Sequence, residues 1–141
     1  MKIIFVCTGN TCRSPLAESI AKAKLAHYTI ESRGLYANNG GAISTHSQAI
    51  INKQQLPQPS HAQMFTETDL QADLILTMST THKDTISYMF GQQNHVFTIK
   101  EYAGYQGEVS DPFGADEDAY DAVFEELNTL IEKIKNKILT Q

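Results

Sequence analysis

A cysteine and an arginine near the start of the chain are spaced so that both can contact one anion. Five residues separate Cys7 from Arg13. If the segment between them curls, the sulfur and the guanidinium fork can face the same tetrahedral oxyanion, and backbone amides of residues 8 to 13 can bind its remaining oxygens. This pattern predicts a binding loop for a phosphate-like anion.

The side chains in and beside this loop suggest a reactive sulfur. The positive field that binds an anion also favours a thiolate, so we expect Cys7 to be an ionised nucleophile at neutral pH. Ser14 can donate its hydroxyl proton to that thiolate. Gly9 and Asn10 suit the unusual backbone angles that such a loop requires.

A second candidate group lies late in the chain, at Asp111-Pro112-Phe113. Asp111 could protonate a leaving atom and later activate water, while Phe113 could form a pocket wall that removes the carboxyl from water. On its own, Asp-Pro more often opens a turn. A catalytic role therefore depends on Asp111 meeting Cys7 and Arg13 in space.

Residues 6–15, together with Asp111-Pro112-Phe113, resemble the phosphate loop and general-acid motif of the low-molecular-weight protein tyrosine phosphatases. The resemblance spans essentially the whole chain. It implies a metal-independent and cofactor-free hydrolase that acts on phosphorylated proteins through a phosphocysteine, and that releases inorganic phosphate, which we expect to inhibit it. The implied catalytic residues are Cys7, Arg13 and Asp111, and the implied substrate-binding residues are Thr8, Gly9, Asn10, Thr11, Cys12, Ser14 and Phe113.

Thr11 indicates which phosphorylated residue enters the pocket. Tyrosine-directed members of the family usually carry a larger aliphatic residue there, and often an aromatic residue in the loop after the second strand. This chain has no tryptophan, and we expect that loop to be short. Thr11 with Asp111-Pro112-Phe113 resembles the protein-arginine phosphatase branch, so phosphoarginine is the first hypothesis and phosphotyrosine the second. A loop hydroxyl that satisfies a backbone group is the structural alternative for Thr11.

Cys7 and Cys12 are the two cysteines of the sequence. Cys12 could trap an oxidised Cys7 as a reversible disulfide, or it could be a small buried residue without redox function. An arsenate reductase of this fold would need further cysteines, and a non-catalytic phosphate-binding module need not keep Cys7 and Asp111 together. We find no zinc-ligand pattern among the five histidines, which are His27, His46, His61, His82 and His95.

Composition and charge are those of one soluble catalytic domain over residues 1–141. The chain is 41% hydrophobic and 19% charged, and its formal net charge of −5 argues against nucleic acid or an anionic membrane as partner. No apolar segment reaches transmembrane length, and the first strand follows Met1-Lys2 without a signal-peptide core. We expect a cytoplasmic protein.

The elements that must position these residues alternate between strand and helix. Apolar runs predict strands at 3–6, 28–32, 74–76 and 96–99, and a further short strand is possible at 60–63. A helix is predicted to start at Pro15, with Glu18 facing water. Further helices are predicted with caps at Ser44 or Thr45, at Ser79 or Thr80, and near Asp116, whereas residues 100–113 are predicted to form a long loop. The expected fold is α/β, a single three-layer domain with a four-stranded, mainly parallel sheet and helices on both faces. The resemblance implies the strand order 2-1-3-4.

The resemblance also gives two further residues a place near the loop. His46 matches a family position packed beneath the phosphate loop, although a helix cap or a surface position is an equal alternative. Arg33 stands where the family usually has a small residue, and the sequence gives it no role.

Overall fold

The computed structural model describes residues 1–140, which form a parallel sheet with helices on both of its faces. The sheet order is β2-β1-β3-β4, and every pairing between neighbouring strands is parallel. The predicted fold class and strand order are confirmed. The elements are β1 Lys2–Cys7, α1 Arg13–Lys24, β2 Thr29–Gly34, α2 Thr45–Lys53, a 3₁₀ helix Glu67–Gln71, β3 Leu74–Thr77, α3 Thr80–Phe90, β4 Val96–Thr98, α4 Ile99–Tyr102 and α5 Glu117–Leu139.

Strand β1 separates two hydrophobic cores because successive side chains of a strand point to opposite faces. Ile3 and Phe5 pack in the larger core with α1, α2 and α5. Ile4 and Val6 pack in the smaller core, which includes Ile86 of α3. The apolar run that predicted a strand covered on both faces is therefore confirmed.

Three predicted helix starts, two capped by serine and one by aspartate, are also confirmed. The side chains of Ser44, Ser79 and Asp116 accept hydrogen bonds from backbone N–H groups three residues later, at the starts of α2, α3 and α5. Helix α1 begins at Arg13, so Pro15 lies in its first turn, where a missing N–H group costs nothing.

The possible strand at residues 60–63 is wrong. Its backbone bonds mainly to loops: the Ala62 N–H group donates to the Gly41 carbonyl, and the Gln63 N–H group donates to the Asn10 side chain. The Gln63 carbonyl accepts the N–H group of Gly34, the last residue of β2. Only an isolated bridge joins Met64 to Gly34 of β2. This segment therefore covers the loop after β1 and does not extend the sheet.

Two other expectations are wrong in part. Glu18 does not face water, because it is only 1% exposed and lies inside a polar network. The segment from residue 100 onward is not entirely loop, because α4 covers Ile99–Tyr102 and starts with a reciprocal capping box between Thr98 and Glu101. Thr98 and Glu101 are three residues apart in the sequence, which is the spacing of a capping box.

Candidate active site

The Cys7 sulfur lies at the carboxyl end of the central strand, beneath the loop that leads into α1. Cys7 is 3% exposed. Its Sγ atom is 2.9 Å from the Ser14 Oγ atom and accepts a hydrogen bond from the Asn10 N–H group at 3.3 Å. The sulfur is thus contacted by one backbone donor and one hydroxyl group.

Arg13 closes the loop from the opposite side. The Arg13 Nη1 atom donates to the Val109 carbonyl at 3.0 Å, and the Nη2 atom is 3.6 Å from the Asp111 carboxylate. Val109 is itself fixed at the end of β3, because its N–H group donates to the Met78 carbonyl at 3.0 Å. The long loop is thereby docked on the sheet edge where Cys7 lies.

The loop offers backbone donors as well as a guanidinium. Within residues 1–140, the N–H groups of Gly9, Thr11 and Cys12 donate to no protein acceptor. Helix α1 starts directly after them and carries no acidic side chain in its first turn, so its positive end is not neutralised from within the helix. These groups form a site that favours a small anion.

A cleft of about 220 Å³ opens above the sulfur. The predicted residues Asn10 and Ser14 do not line it, because they are buried beneath the loop at 1% and 0% exposure. They support the loop and contact the sulfur from below. The cleft is lined by Cys7, Thr8, Gly9, Thr11, Cys12, Arg13, Asp111 and Phe113.

Asp111 and Phe113 form the outer rim of this cleft. The Asp111 side chain is 52% exposed and Phe113 is 78% exposed. The expectation that Phe113 removes the carboxyl from water is therefore wrong for this structure. The two residues are instead linked locally, since the Phe113 N–H group donates to the Asp111 Oδ1 atom at 3.1 Å.

A buried polar network beneath the loop contains residues that the sequence analysis missed. The Asn10 amide group donates to Ser14 at 2.8 Å and to Ser32 at 2.9 Å, and Ser32 donates to the Glu18 carboxylate at 2.5 Å. Lys22 pairs with that carboxylate at 2.6 Å. Glu18 lies one helical turn from both Ser14 and Lys22, and this spacing is the feature of the sequence that could have placed Glu18 in the network.

The loop after β1 contains one residue with a left-handed backbone conformation, and its backbone packs closely against a glycine of β2. Asn10 has a φ of 57°, which confirms its left-handed conformation, whereas Gly9 is not in that region. Gly34, at the end of β2, lies directly against the loop. A Cβ atom there would be 2.7 Å from the Asn10 nitrogen and from the Thr8 oxygen, so only glycine fits without movement.

Tyr120 lies on the other side of the loop, next to Cys12, and His46, which is exposed rather than packed beneath the loop, contacts Tyr120. The Tyr120 hydroxyl is 3.3 Å from the Cys12 Sγ atom, and the His46 ring stacks on Tyr120 at 4.8 Å between centroids. Burial and the contact with Cys12 raise the pKa of Tyr120. Tyr120 thus acts as a neutral hydrogen-bonding group beside Cys12.

Arg33 belongs to the edge of the sheet rather than to the cleft. Its guanidinium pairs with Glu31 on the same strand at 2.5 Å and with Asp69 at 3.3 Å. Its carbonyl lies 3.4 Å from the Ser14 hydroxyl. Arg33 therefore joins β2 to the 3₁₀ helix that carries Asp69.

His82 is a buried histidine at the start of α3, and its ring contacts the loop. Its Nε2 atom is 2.8 Å from the Thr8 Oγ1 atom, and its Nδ1 atom is 3.0 Å from the Ser79 Oγ atom. Burial, and then the nearby Arg13 cation, lower the pKa of His82 to about 4. Sequence analysis considered this residue only as a metal ligand and missed the contact.

Among residues 1–140, no three His, Cys, Asp or Glu side chains are grouped closely enough to hold a metal ion. None of the helices in that part of the chain is both long and apolar enough to cross a membrane.

Residues 2–141 match the family described as low molecular weight phosphotyrosine protein phosphatase. The chain belongs to this family. A Staphylococcus epidermidis relative named low molecular weight protein-tyrosine-phosphatase PtpB is 56% identical over 137 residues, which cover 97% of this chain and 99% of the relative. The resemblance inferred from the two motifs is thereby confirmed.

Solved phosphatase structures share the fold over nearly the full length. The YwlE arginine phosphatase from Geobacillus stearothermophilus has a TM-score of 0.94 and 32% identity, covering 99% of this chain and 93% of that one. A YwlE arginine phosphatase mutant with a phosphorylated active-site serine has a TM-score of 0.93 and 35% identity, covering 98% and 95%. This low molecular weight phosphatase is thus similar to proteins named for either substrate.

Proposed function

We propose that this protein phosphatase hydrolyses phosphoarginine on proteins, with Cys7 as the nucleophile. Family membership supports a cysteine-dependent protein phosphatase. The observation that carries the proposal is the cleft itself, where the Cys7 sulfur, the Arg13 guanidinium and unpaired loop amides converge at a helix start. A phosphoryl group seated there would have its phosphorus above the sulfur and its oxygens at the donors.

The reaction proceeds in two steps, and in each step one bond to phosphorus forms while another breaks. The Cys7 sulfur forms a bond to phosphorus as the bond from phosphorus to the arginine nitrogen breaks, and Asp111 gives its proton to that nitrogen. Water, deprotonated by Asp111, then attacks phosphorus and releases inorganic phosphate and the free sulfur. The mutant YwlE structure with a phosphorylated active-site serine is consistent with a covalent intermediate at this position.

The ion pair between Arg13 and Asp111 links substrate binding to acid catalysis. The Arg13 Nη2 atom is 3.6 Å from the Asp111 carboxylate. A phosphoryl group carries more charge than a carboxylate and binds the guanidinium through two oxygens, so it would replace Asp111 there. The released carboxyl, on an exposed loop, could then take up a proton and reach the leaving nitrogen.

Thr11 supports phosphoarginine as the preferred substrate. Its side chain is part of the cleft wall, while its carbonyl accepts a hydrogen bond from the Ser44 N–H group at 2.8 Å. A short polar wall favours a guanidinium with several N–H donors over an aromatic ring. Asp111 provides a carboxylate acceptor at the same rim.

Phosphotyrosine is the second candidate because two observations favour it. The S. epidermidis relative is named a tyrosine phosphatase. In addition, the loop after β2 carries an exposed aromatic residue, Tyr36, whose N–H group donates to the Thr8 carbonyl at 2.9 Å. An aromatic residue in that loop is the feature that tyrosine-directed members of the family often carry.

Matched peptides carrying phosphoarginine or phosphotyrosine would test the preference. We expect wild-type protein to have the larger kcat/KM for phosphoarginine, and Thr11→Ile to shift the ratio towards phosphotyrosine. Cys7→Ser is the control for covalent catalysis and should abolish turnover of both. Faster phosphotyrosine hydrolysis by the wild type would reject the arginine preference but leave the phosphatase assignment intact.

Cys12 is proposed as the redox partner of Cys7. Both cysteines are free and buried in one loop. An oxidised Cys7 would be a sulfenic acid, and attack by the Cys12 sulfur would form a disulfide and release water. Because the sequence has only two cysteines, no third thiol is available to carry that disulfide onward as in an arsenate reductase.

A further inference from the structure

His82 connects the first turn of α3 to the residue that follows Cys7. The side chain is 6% exposed, and both ring nitrogens contact hydroxyl groups, Ser79 on one side and Thr8 on the other. Thr8 is fixed from the backbone as well, because its carbonyl accepts the Tyr36 N–H group. The ring therefore bridges a helix start and the anion-binding loop.

The hydrogen bonds decide which ring nitrogen carries the proton. The Ser79 hydroxyl oxygen accepts the His82 backbone N–H group, as a helix cap does. Within residues 1–140, the only acceptor that the Ser79 proton reaches is the His82 Nδ1 atom. A neutral ring has one donor and one acceptor, so the Nε2 atom carries the proton and donates it to the Thr8 oxygen.

The Thr8 oxygen is thus already an acceptor, and its own proton is not used in this chain of hydrogen bonds. Thr8 is exposed and lines the cleft together with Cys7 and Arg13. We propose that His82 is a positioning residue of the phosphate site, holding the Thr8 oxygen so that the Thr8 proton is donated to an oxyanion in the cleft. This inference rests on the phosphate-binding role proposed for the loop.

The arrangement requires a neutral ring, and the surroundings provide for one. Burial and the Arg13 cation lower the pKa of His82 to about 4, although the carboxylates of Glu108 and Asp111 oppose the shift. The ring is therefore uncharged near neutral pH. A doubly protonated ring would direct a second N–H group at the Ser79 oxygen and displace the Ser79 proton.

Long-range ¹⁵N NMR of the histidine rings would test the proton assignment without any turnover. We expect His82 in the Nε2–H form from pH 6 to pH 8, with and without inorganic phosphate. A ring protonated at Nδ1 would contradict the proposal, because Thr8 would then be the donor to His82 and would have no proton for the cleft.

Titration with inorganic phosphate would test the consequence for binding. Asn places its amide nitrogen near the Nδ1 position and Gln near the Nε2 position, so only His82→Gln keeps a donor for Thr8. We expect the dissociation constant of phosphate to rise about tenfold in His82→Asn and in Thr8→Val, the size expected for one hydrogen bond to an anion. His82→Gln should recover most of the loss, and the double variant His82→Asn, Thr8→Val should bind no more weakly than the weaker single variant.

The controls separate positioning from general destabilisation. His95 is half-buried, its Nε2 atom donates to the Leu70 carbonyl at 2.7 Å, and it lies outside the cleft, so His95→Asn should leave phosphate affinity unchanged. Equal losses in His82→Asn and His82→Gln, or additive losses in the double variant, would overturn the role of His82. Wild-type protein that fails to bind phosphate at all would instead overturn the proposed function on which this inference rests.

Discussion

The Ser14 hydroxyl is the side-chain donor that reaches the Cys7 sulfur. Its oxygen is 2.9 Å from the sulfur and 3.4 Å from the Arg33 carbonyl, so the sulfur is the nearer of its two acceptors. The Asn10 amide group donates to the Ser14 oxygen, so the Ser14 hydroxyl proton remains available for an acceptor. Ser14 is therefore placed to donate to the sulfur that we propose as the nucleophile.

Replacing Ser14 by alanine tests this contact. Loss of a hydrogen bond to a charged group costs about 1.5–3 kcal/mol, so we expect kcat to fall roughly 10- to 100-fold. The rate of Cys7 alkylation by iodoacetamide near pH 6 should fall as well. Ser19→Ala is the matched control, because Ser19 is also buried on α1 but donates to the Pro57 carbonyl. Similar alkylation rates in both variants would contradict the role of Ser14.

Tyr120 restrains the second cysteine of the loop. The Cys12 sulfur contacts the Tyr120 hydroxyl at 3.3 Å, and it must leave this partner to reach Cys7. We expect Tyr120→Phe to form the disulfide several-fold faster under limiting peroxide, measured by thiol labelling and mass spectrometry. A slower reaction in the variant would mean that the phenol assists disulfide formation instead.

Sequence spacing was sufficient for the residues that act within one loop or one motif. Cys7, Arg13 and Ser14 lie close together in sequence, so their types and separation already suggested an anion shared by Cys7 and Arg13 and a hydroxyl donor beside the sulfur. His82 and Tyr120 reach the loop from 74 and 108 residues away, and no local pattern encodes such a contact. Glu18 was misplaced because a carboxylate on a helix usually faces water, whereas here Ser32, Ser60 and Lys22 satisfy it.

At the scale of elements, the loop after β1 is shaped by the end of β2. Gly34 pairs with Cys7 in the parallel register and lies against the backbone of three loop residues. No flexible side chain is available there to move aside. The conformation of the anion-binding loop thus depends on a glycine in the neighbouring strand.

Gly34→Ala should therefore damage activity more than stability. Its Cβ atom would meet the Asn10 nitrogen at 2.7 Å and the Gly9 carbonyl carbon at 2.8 Å, so the loop must shift. Overpacking of this kind costs about 1–3 kcal/mol, and we expect kcat/KM to fall more than tenfold. Steady-state kinetics and urea unfolding measured together would check this. Wild-type kinetics in the variant would show that the loop tolerates displacement.

Hydrophobic periodicity predicted most elements, but not how they assemble. Helix α5 followed directly from its repeat of apolar residues, eight of which are buried. The strand order came from family resemblance, since no single strand encodes its neighbours. Residues 60–63 resembled a strand by composition, yet their backbone bonds mainly to loops because that segment covers the loop after β1.

At the scale of the whole molecule, the neutral buried ring of His82 makes folding sensitive to acid. The pKa of His82 is about 4 in the folded protein, against an ordinary value of 6.5. Below pH 6.5 the unfolded chain binds a proton that the folded protein does not, so the free energy of unfolding decreases as the pH falls towards 4. Above pH 6.5 this contribution is fully retained.

Urea unfolding at pH 7, 5.5 and 4.5 would measure this dependence. We expect the free energy of unfolding of the wild type to decrease more steeply with falling pH than that of His82→Gln, which has no titrating ring. Comparison with this variant removes the contribution of the other ionisable groups. Equal slopes for the two proteins would show that His82 titrates normally in the folded state.

The floor of the cleft is buried, and its rim is open to solvent. Among the lining residues, Cys7, Cys12 and Arg13 are at most 5% exposed, whereas Phe113 is 78% exposed. Natural variation at the rim can therefore retune which phosphorylated side chain is accepted while the reactive chemistry below stays constant. Closely related chains can diverge in substrate within one scaffold by this route, and a handful of surface replacements should suffice to convert one specificity into another.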